Sequence, residues 1–69
     1  MAEPRLGSNL KAIRTEAGLT QAELADRAKV SRKTINTVEN GVFVPSTLLA
    51  LTLARTLGTT VEDLFFLVD

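Results

Sequence analysis

The sequence predicts an all-α domain, a compact bundle of five short helices. Three observations predict it. Gly18, Gly41 and Gly58 each close an apolar-periodic run, where helix-ending glycines belong. Just beyond each stands a hydroxyl residue suited to start the next helix: Thr20, Ser46 and Thr60. No run alternates apolar and polar residues with a period of two, so strands are not indicated. The chain has 69 residues, enough for one domain and no more, so residues 1–69 are expected to form a single unit.

The elements follow in order. The first helix runs from Leu6 or Asn9 to Ala17 and offers Leu10 and Ile13, with Leu6 and Ala17, to the core. The second, Gln21 to Ala28, opens on Thr20-Gln-Ala-Glu, a capping box in which Glu23 reaches back to the Thr20 amide. It buries Leu24, Ala25 and Ala28. Ser31 caps the third, Arg32 to Asn40, which buries Ile35 and Val38. Ser46 caps the fourth, Thr47 to Leu57, with Leu49, Leu53 and Leu57 on its core face. Thr60 opens the fifth, Val61 to Phe66, with Val61 and Leu64 inward. Helices this short are unstable alone, so packing must hold them. Their connections, two to five residues long, suit a bundle.

Composition removes several functions. There is no cysteine, hence no disulfide, thiolate metal site or cysteine nucleophile, and no histidine, the usual general base near neutral pH. No glycine-rich phosphate cradle appears. The adjacent acids Glu62 and Asp63 lie near a helix N-terminus, where negative charge is favourable without any catalytic role. An enzyme is not expected, nor a cofactor, a metal or a small-molecule ligand. The densest apolar stretch, Leu48 to Ala54, is too short to cross a bilayer, and the first residues lack the apolar region of a signal peptide. The expected place is therefore the cytoplasm, with no membrane partner.

Net charge is zero but uneven. Residues 1–33 hold seven basic groups against four acidic, a net +3, and residues 34–69 hold Arg55 against four acids, a net −3. A domain so divided can turn a basic face to a polyanion.

The informative stretch is Thr20 to Gly41. Two short helices meet at Lys29-Val30-Ser31, small Ala25 lets their backbones approach, and apolar Val30 plugs the gap between them. That is the physics of a helix-turn-helix unit. Winding at about 100° per residue places Arg32, Lys33, Asn36, Thr37 and Asn40 on one arc of the third helix, with Ile35 and Val38 on the other side. The arc holds two cations, two carboxamides, a hydroxyl and no acid. Such side chains suit a major groove: Arg and Lys donate to guanine, Asn pairs with adenine, and Thr bonds or touches a thymine methyl.

The same residues carry a family resemblance. Leu19-Thr20-Gln21-Ala22-Glu23-Leu24-Ala25, Val30-Ser31-Arg32-Lys33-Thr34-Ile35, Val38-Glu39-Asn40-Gly41, Pro45-Ser46, Leu57-Gly58 and Glu62-Asp63-Leu64-Phe65 resemble the lambda-repressor/Cro-like (XRE-type) helix-turn-helix family. The nearest likeness is to compact bacterial and archaeal regulators, and it runs from about Leu10 to Phe65. The resemblance implies a five-helix lambda-repressor-like domain, with its helix-turn-helix unit at about 20–41, that binds operator DNA as a dimer. It implies that Gln21 meets a backbone phosphate, that Arg32 and Lys33 read bases with Asn36 and Thr37 one turn later, and that Asn40 lies near phosphates. Ser31 and Thr34 complete the expected DNA-binding set. It further implies that Arg14 and Glu39 bridge the first and third helices as a structural ion pair. Glu39 sits at the edge of the apolar face, where an unpaired carboxylate is costly to bury, so a partner such as Arg14 is needed.

Three features depart from the family pattern. Lys29 stands in the turn where glycine is frequent. Val42-Phe43-Val44 follows the third helix where a cation or Asn is common. A net charge of zero is low for a DNA binder, since phosphate contacts supply much of the affinity. Binding should therefore lean on base contacts and dimerisation.

Residues 47–69 supply the expected dimer elements. Leu48 and Leu51 lie off the core face of the fourth helix, and Phe65-Phe66-Leu67-Val68 carries more apolar bulk than a short helix can bury. Leu48, Leu51, Phe66 and Val68 are the expected two-fold interface. The expected function is that of a sequence-specific transcriptional regulator, a repressor on a palindromic operator, with double-stranded DNA and a second copy as partners. The alternative is an antitoxin or adaptor that uses the same fold to hold a protein.

Overall fold

The computed structural model describes residues 4–68. The outer ends of the expected 1–69 unit, with Glu3 and Asp69 of the charge tally, lie outside the described residues. Five helices are bracketed by two strands: β1 (Arg5–Ser8), α1 (Leu10–Glu16), α2 (Gln21–Ala28), α3 (Arg32–Glu39), α4 (Thr47–Leu57), α5 (Val61–Leu64) and β2 (Phe65–Val68).

Four helices start the same way. Thr20, Ser31, Ser46 and Thr60 hold extended backbone and accept, through their hydroxyls, the N–H of the residue three positions on: Glu23, Thr34, Leu49 and Asp63. At α2 the box is complete, because the Thr20 N–H donates to Glu23 Oε1 at 3.0 Å. That bond from the Thr20 backbone, with the Thr20 hydroxyl next, holds the Glu23 carboxyl below its usual range. Its contribution to stability is present at neutral pH and fades as pH falls below the ordinary glutamate range. α1 begins differently. Asn9 caps nothing with its side chain; its N–H donates to the Leu64 carbonyl at 2.8 Å and its Nδ2 to the Asp63 carbonyl at 3.2 Å. These bonds tie the first helix to the last.

Four helices also end alike. Gly18, Lys29, Gly41 and Gly58 are left-handed. In each case the next residue, Leu19, Val30, Val42 or Thr59, donates its N–H five positions back, to Arg14, Ala25, Thr37 or Ala54. This closure satisfies helix-end carbonyls that would otherwise lack donors.

The core gathers Leu10, Leu24, Ala25, Ala28, Ile35, Val38, Leu53 and Leu64, the residues that the periodicity selected, with Leu19, Ala50, Ala54 and Phe65 added. Ile13, Leu49, Leu57 and Val61 pack against it half-buried. Ala17 is exposed, because α1 stops at Glu16.

The all-α expectation needs correction at both ends. Phe65 has φ −133° and ψ 144°, so α5 stops at Leu64 rather than Phe66. Phe65–Val68 instead pairs antiparallel with Arg5–Ser8, in the register Arg5 to Val68, Leu6 to Leu67, Gly7 to Phe66 and Ser8 to Phe65. Leu6 therefore lies in a strand, about a third exposed, and not in the first helix. The physical reason is bulk. Continued as a helix, α5 would leave Phe65 and Phe66 a single turn to share, whereas an extended chain sends them to opposite faces. Phe65 is buried, and Phe66 covers Gly7 so closely that a Cβ there would collide with its ring.

Lys29, at φ 59°, is the only left-handed residue other than glycine among the described residues. Its strain of about 1 kcal/mol is offset in part by the backbone freedom that glycine would lose on folding. Lys29→Gly is expected to melt at the same temperature as the parent or a few degrees higher, followed by circular dichroism. A clear drop would mean that the Lys29 side chain itself holds the turn.

Candidate nucleic-acid interface

The unit formed by α2 and α3 is set by its turn. Ala25 is buried where the helices approach, Val30 packs on the core, and Ser31 caps α3. Ile35 and Val38, both essentially inaccessible, fix which side of α3 faces inward. Arg32, Lys33, Asn36 and Asn40 are consequently exposed, and Thr34 and Thr37 half-buried.

Beneath this arc lies a buried ion pair. Arg14 Nε donates to Glu39 Oε2 at 2.6 Å and Nη2 to Glu39 Oε1 at 3.2 Å. Nη1 donates to the Leu19 carbonyl at 2.8 Å, just beyond the end of α1. The two side chains retain only 9% and 3% of their accessible surface. A two-point guanidinium–carboxylate contact fixes direction as well as distance. It joins α1 to the last turn of α3. Gln21, the first residue of α2, completes the junction by donating from Nε2 to Glu39 Oε1 at 3.0 Å.

The polar network continues outward. Gln21 Nε2 also donates to Asn36 Oδ1 at 3.2 Å, and Asn40 Nδ2 donates to the same oxygen at 3.3 Å. Thr37 turns its hydroxyl to the carbonyls of Lys33 and Thr34, both at 3.0 Å. The Ser31 and Thr34 hydroxyls bond each other at 2.9 Å, with the Thr34 N–H on Ser31 Oγ. Gln21, Arg32, Lys33 and Asn36 line one open cleft of about 300 Å³. Arg14, Thr20, Gln21, Ala22 and Arg32 line its neighbour. Among the described residues neither Arg32 nor Lys33 forms an ion pair. The exposed arc therefore carries two uncompensated cations, while the one acid of α3 is neutralised underneath.

The structure thus brings Gln21, Ser31, Arg32, Lys33, Thr34, Asn36, Thr37 and Asn40 to one side of the molecule. The sequence did not reveal that Gln21 uses both of its side-chain N–H groups inside the protein. What it turns outward is Oε1, an acceptor, beside the free backbone N–H groups at the start of α2. After α3, Val42 and Val44 are largely exposed and Phe43 about half.

The four residues expected at a two-fold interface do not form one patch. Leu48 and Phe43 border an apolar cleft with Ala28, Val30 and Leu49. Leu51 lines a separate groove with Leu6, Val44, Pro45, Ala50, Val61 and Phe65. Phe66 and Val68 occupy the ribbon face opposite Phe65. Leu6 and Val44 were invisible as members of such a surface, because only the strand pairing brings residue 6 beside α4. No helix among the described residues is long and apolar enough to cross a membrane.

A family model described as Helix-turn-helix matches residues 10–64. An uncharacterized HTH-type transcriptional regulator of Methanothermobacter thermautotrophicus is 51% identical over 55 residues, covering 78% of this chain and 80% of that protein. Among solved structures, the clp gene regulator ClgR of Corynebacterium glutamicum superposes with a TM-score of 0.74 at 31% identity over 78% of this chain. The match spans only 57% of ClgR, little more than half its length. The restriction-modification controller protein C.AhdI of Aeromonas hydrophila gives the same TM-score, 0.74, and the same identity, 31%, over 78% of this chain and 82% of its own.

Breaking the buried pair from one side leaves a charge without a partner. Arg14→Met is expected to cost about 3–5 kcal/mol, most of the stability of so small a domain. The double variant Arg14→Met with Glu39→Leu should recover most of that loss in thermal melts. A single variant as stable as the parent would show that the pair does not hold α1 to α3.

Proposed function

The chain belongs to the XRE-type helix-turn-helix family of transcriptional regulators, and on that premise we propose how it acts. It is a repressor that binds a palindromic operator as a homodimer, with α3 of each copy in the major groove. Residues 1–69 work as one DNA-binding domain in the cytoplasm, with the helix-turn-helix unit at about 20–41 and the dimer elements within 47–69. The observation that carries this reading is the exposed, acid-free arc of α3, whose cations Arg32 and Lys33 form no ion pair among the described residues.

Arg32, Lys33 and Asn36 read base edges, and Thr37 offers its methyl group and an acceptor oxygen. Ser31, Thr34 and Asn40 flank them near the sugar–phosphate backbone. Gln21 meets a phosphate through its backbone N–H, since its side-chain donors are engaged. The dimer forms through neighbouring apolar patches of α4 and the ribbon that carry Leu48, Leu51, Phe66 and Val68; Leu6 and Val44 link them, since both line the groove of Leu51 and the groove of Val68. Exposed apolar residues of this number on so short a chain support a second copy as their cover. Two α3 helices about 34 Å apart would meet successive turns of the major groove.

The adaptor reading draws on the apolar cleft beside Leu48 and Phe43, which a partner protein's side chain could fill. The two readings part at Arg32. For a DNA reader, Arg32→Ala costs about 1–3 kcal/mol of binding and relaxes one base pair in a selection from random duplexes. Unchanged affinity and specificity would favour the adaptor. For the dimer, Leu51→Glu together with Phe66→Glu should sediment as a monomer and bind the selected duplex at least about tenfold more weakly. Leu51→Glu alone, which leaves the ring over Gly7 in place, should weaken association in the same direction. Unchanged sedimentation of both variants would reject this face.

A further inference from the structure

The polarity of the reading surface can be deduced atom by atom, starting from Glu39. A carboxylate only accepts, so the Gln21 atom 3.0 Å from Glu39 Oε1 is the amide nitrogen. That nitrogen has two hydrogens, and the second points to Asn36 at 3.2 Å, so the Asn36 atom there is its oxygen. Asn40 Nδ2 supplies a second donor to the same oxygen at 3.3 Å. Both lone pairs of Asn36 Oδ1 are thereby filled from within the protein. What Asn36 presents outward is its Nδ2, a group that only donates. The buried Arg14–Glu39 pair anchors the whole series, because it fixes the carboxylate that sets the first amide.

We infer that Asn36 reads guanine rather than adenine, and that Gln21 and Asn40 set this specificity by holding its amide in one orientation. The inference rests on the DNA-binding function proposed above. The paired contact of Asn with adenine needs the side-chain oxygen to accept from the adenine amino group, and here that oxygen is already engaged. Guanine offers two adjacent acceptors, O6 and N7, to a group that only donates. Arg32 and Lys33, which line the same cleft, also only donate. These three side chains present donors alone, matched to acceptor-rich base edges, while the outward acceptor of Gln21 stands apart from them at the start of α2. Gln21 and Asn40 are positioning residues in this scheme. They act on the base through Asn36.

The test is selection from random duplexes with the wild-type chain, Asn36→Ala, and the double variant Gln21→Met with Asn40→Ala. Asn36→Ala should relax one position of the selected sequence. At that position the wild type should hold guanine over adenine by about tenfold, and the double variant should raise adenine to parity or above, since its Asn36 is free to turn. A readout without DNA keeps the inference independent of binding. By nuclear magnetic resonance, the Gln21 side-chain amide protons should be protected from solvent exchange and those of Asn36 should exchange freely. Adenine selected by the wild type at the position that Asn36→Ala relaxes would overturn the inference and leave the DNA-binding reading standing. So would an unchanged guanine preference in the double variant, a freely exchanging Gln21 amide, or no position relaxed by Asn36→Ala. A wild-type chain that selects no sequence at all would overturn both.

Discussion

The structure depends on one buried contact, the two-point bond between the Arg14 guanidinium and the Glu39 carboxylate. Helices of seven or eight residues cannot hold their own orientation, and the apolar core gives them attraction without direction. The ion pair supplies direction. It fixes the end of α3 against α1, reaches the chain beyond α1 through the Leu19 carbonyl, and takes in the start of α2 through Gln21. Desolvating two charges is expensive, and here every partner is present: the carboxylate accepts three bonds and the guanidinium gives three. The pair also places the only acid of α3 on the inside. The outward arc is left cationic in a chain whose net charge is zero.

That last point resolves an apparent conflict. A neutral chain should be a poor ligand for a polyanion, yet its charges are sorted by element. α5 carries Glu62 and Asp63, while the first turn of α3 carries Arg32 and Lys33 and no acid. On the proposed function, phosphate attraction is local and modest, and discrimination falls to base-edge contacts. A rigid hydrogen-bonded network under those contacts has a plain use, since a side chain held in one orientation loses little freedom when it meets a base.

Most of the helical frame was legible in the sequence because its signals are local. Thr20, Ser31, Ser46 and Thr60 announce helix starts through a bond only three residues long, and Gly18, Gly41 and Gly58 announce the ends through backbone geometry. Family likeness places Lys29 in a turn where glycine is frequent, and its backbone there is left-handed. The exposed and buried sides of α3 follow from winding alone. What was illegible is long-range. Arg5–Ser8 and Phe65–Val68 lie at opposite ends of the chain, each four residues long and without clear alternation, and only their pairing makes them strands. Without the ribbon, periodicity allows the first helix to start at Leu6 as well as at Asn9 and groups Phe66 with Leu51, whereas the strand pairing turns Phe66 to the face opposite Phe65. The site had the same limit. The sequence located Asn36 on the reading arc but could not show which end of its amide faces out. That depends on Gln21, fifteen residues earlier, and through it on Arg14.

The central claim is that the arc from Arg32 to Asn40, with the start of α2 beside it, is the surface that meets DNA. The most direct measurement is a titration of isotopically labelled protein with a duplex selected from random sequence, followed residue by residue through its amide resonances. Shifts concentrated at Gln21, Ser31 to Thr37 and Asn40, and weakening together as salt is raised, are the predicted result. Shifts confined to α4 and the ribbon, with the α3 arc unmoved, would contradict it.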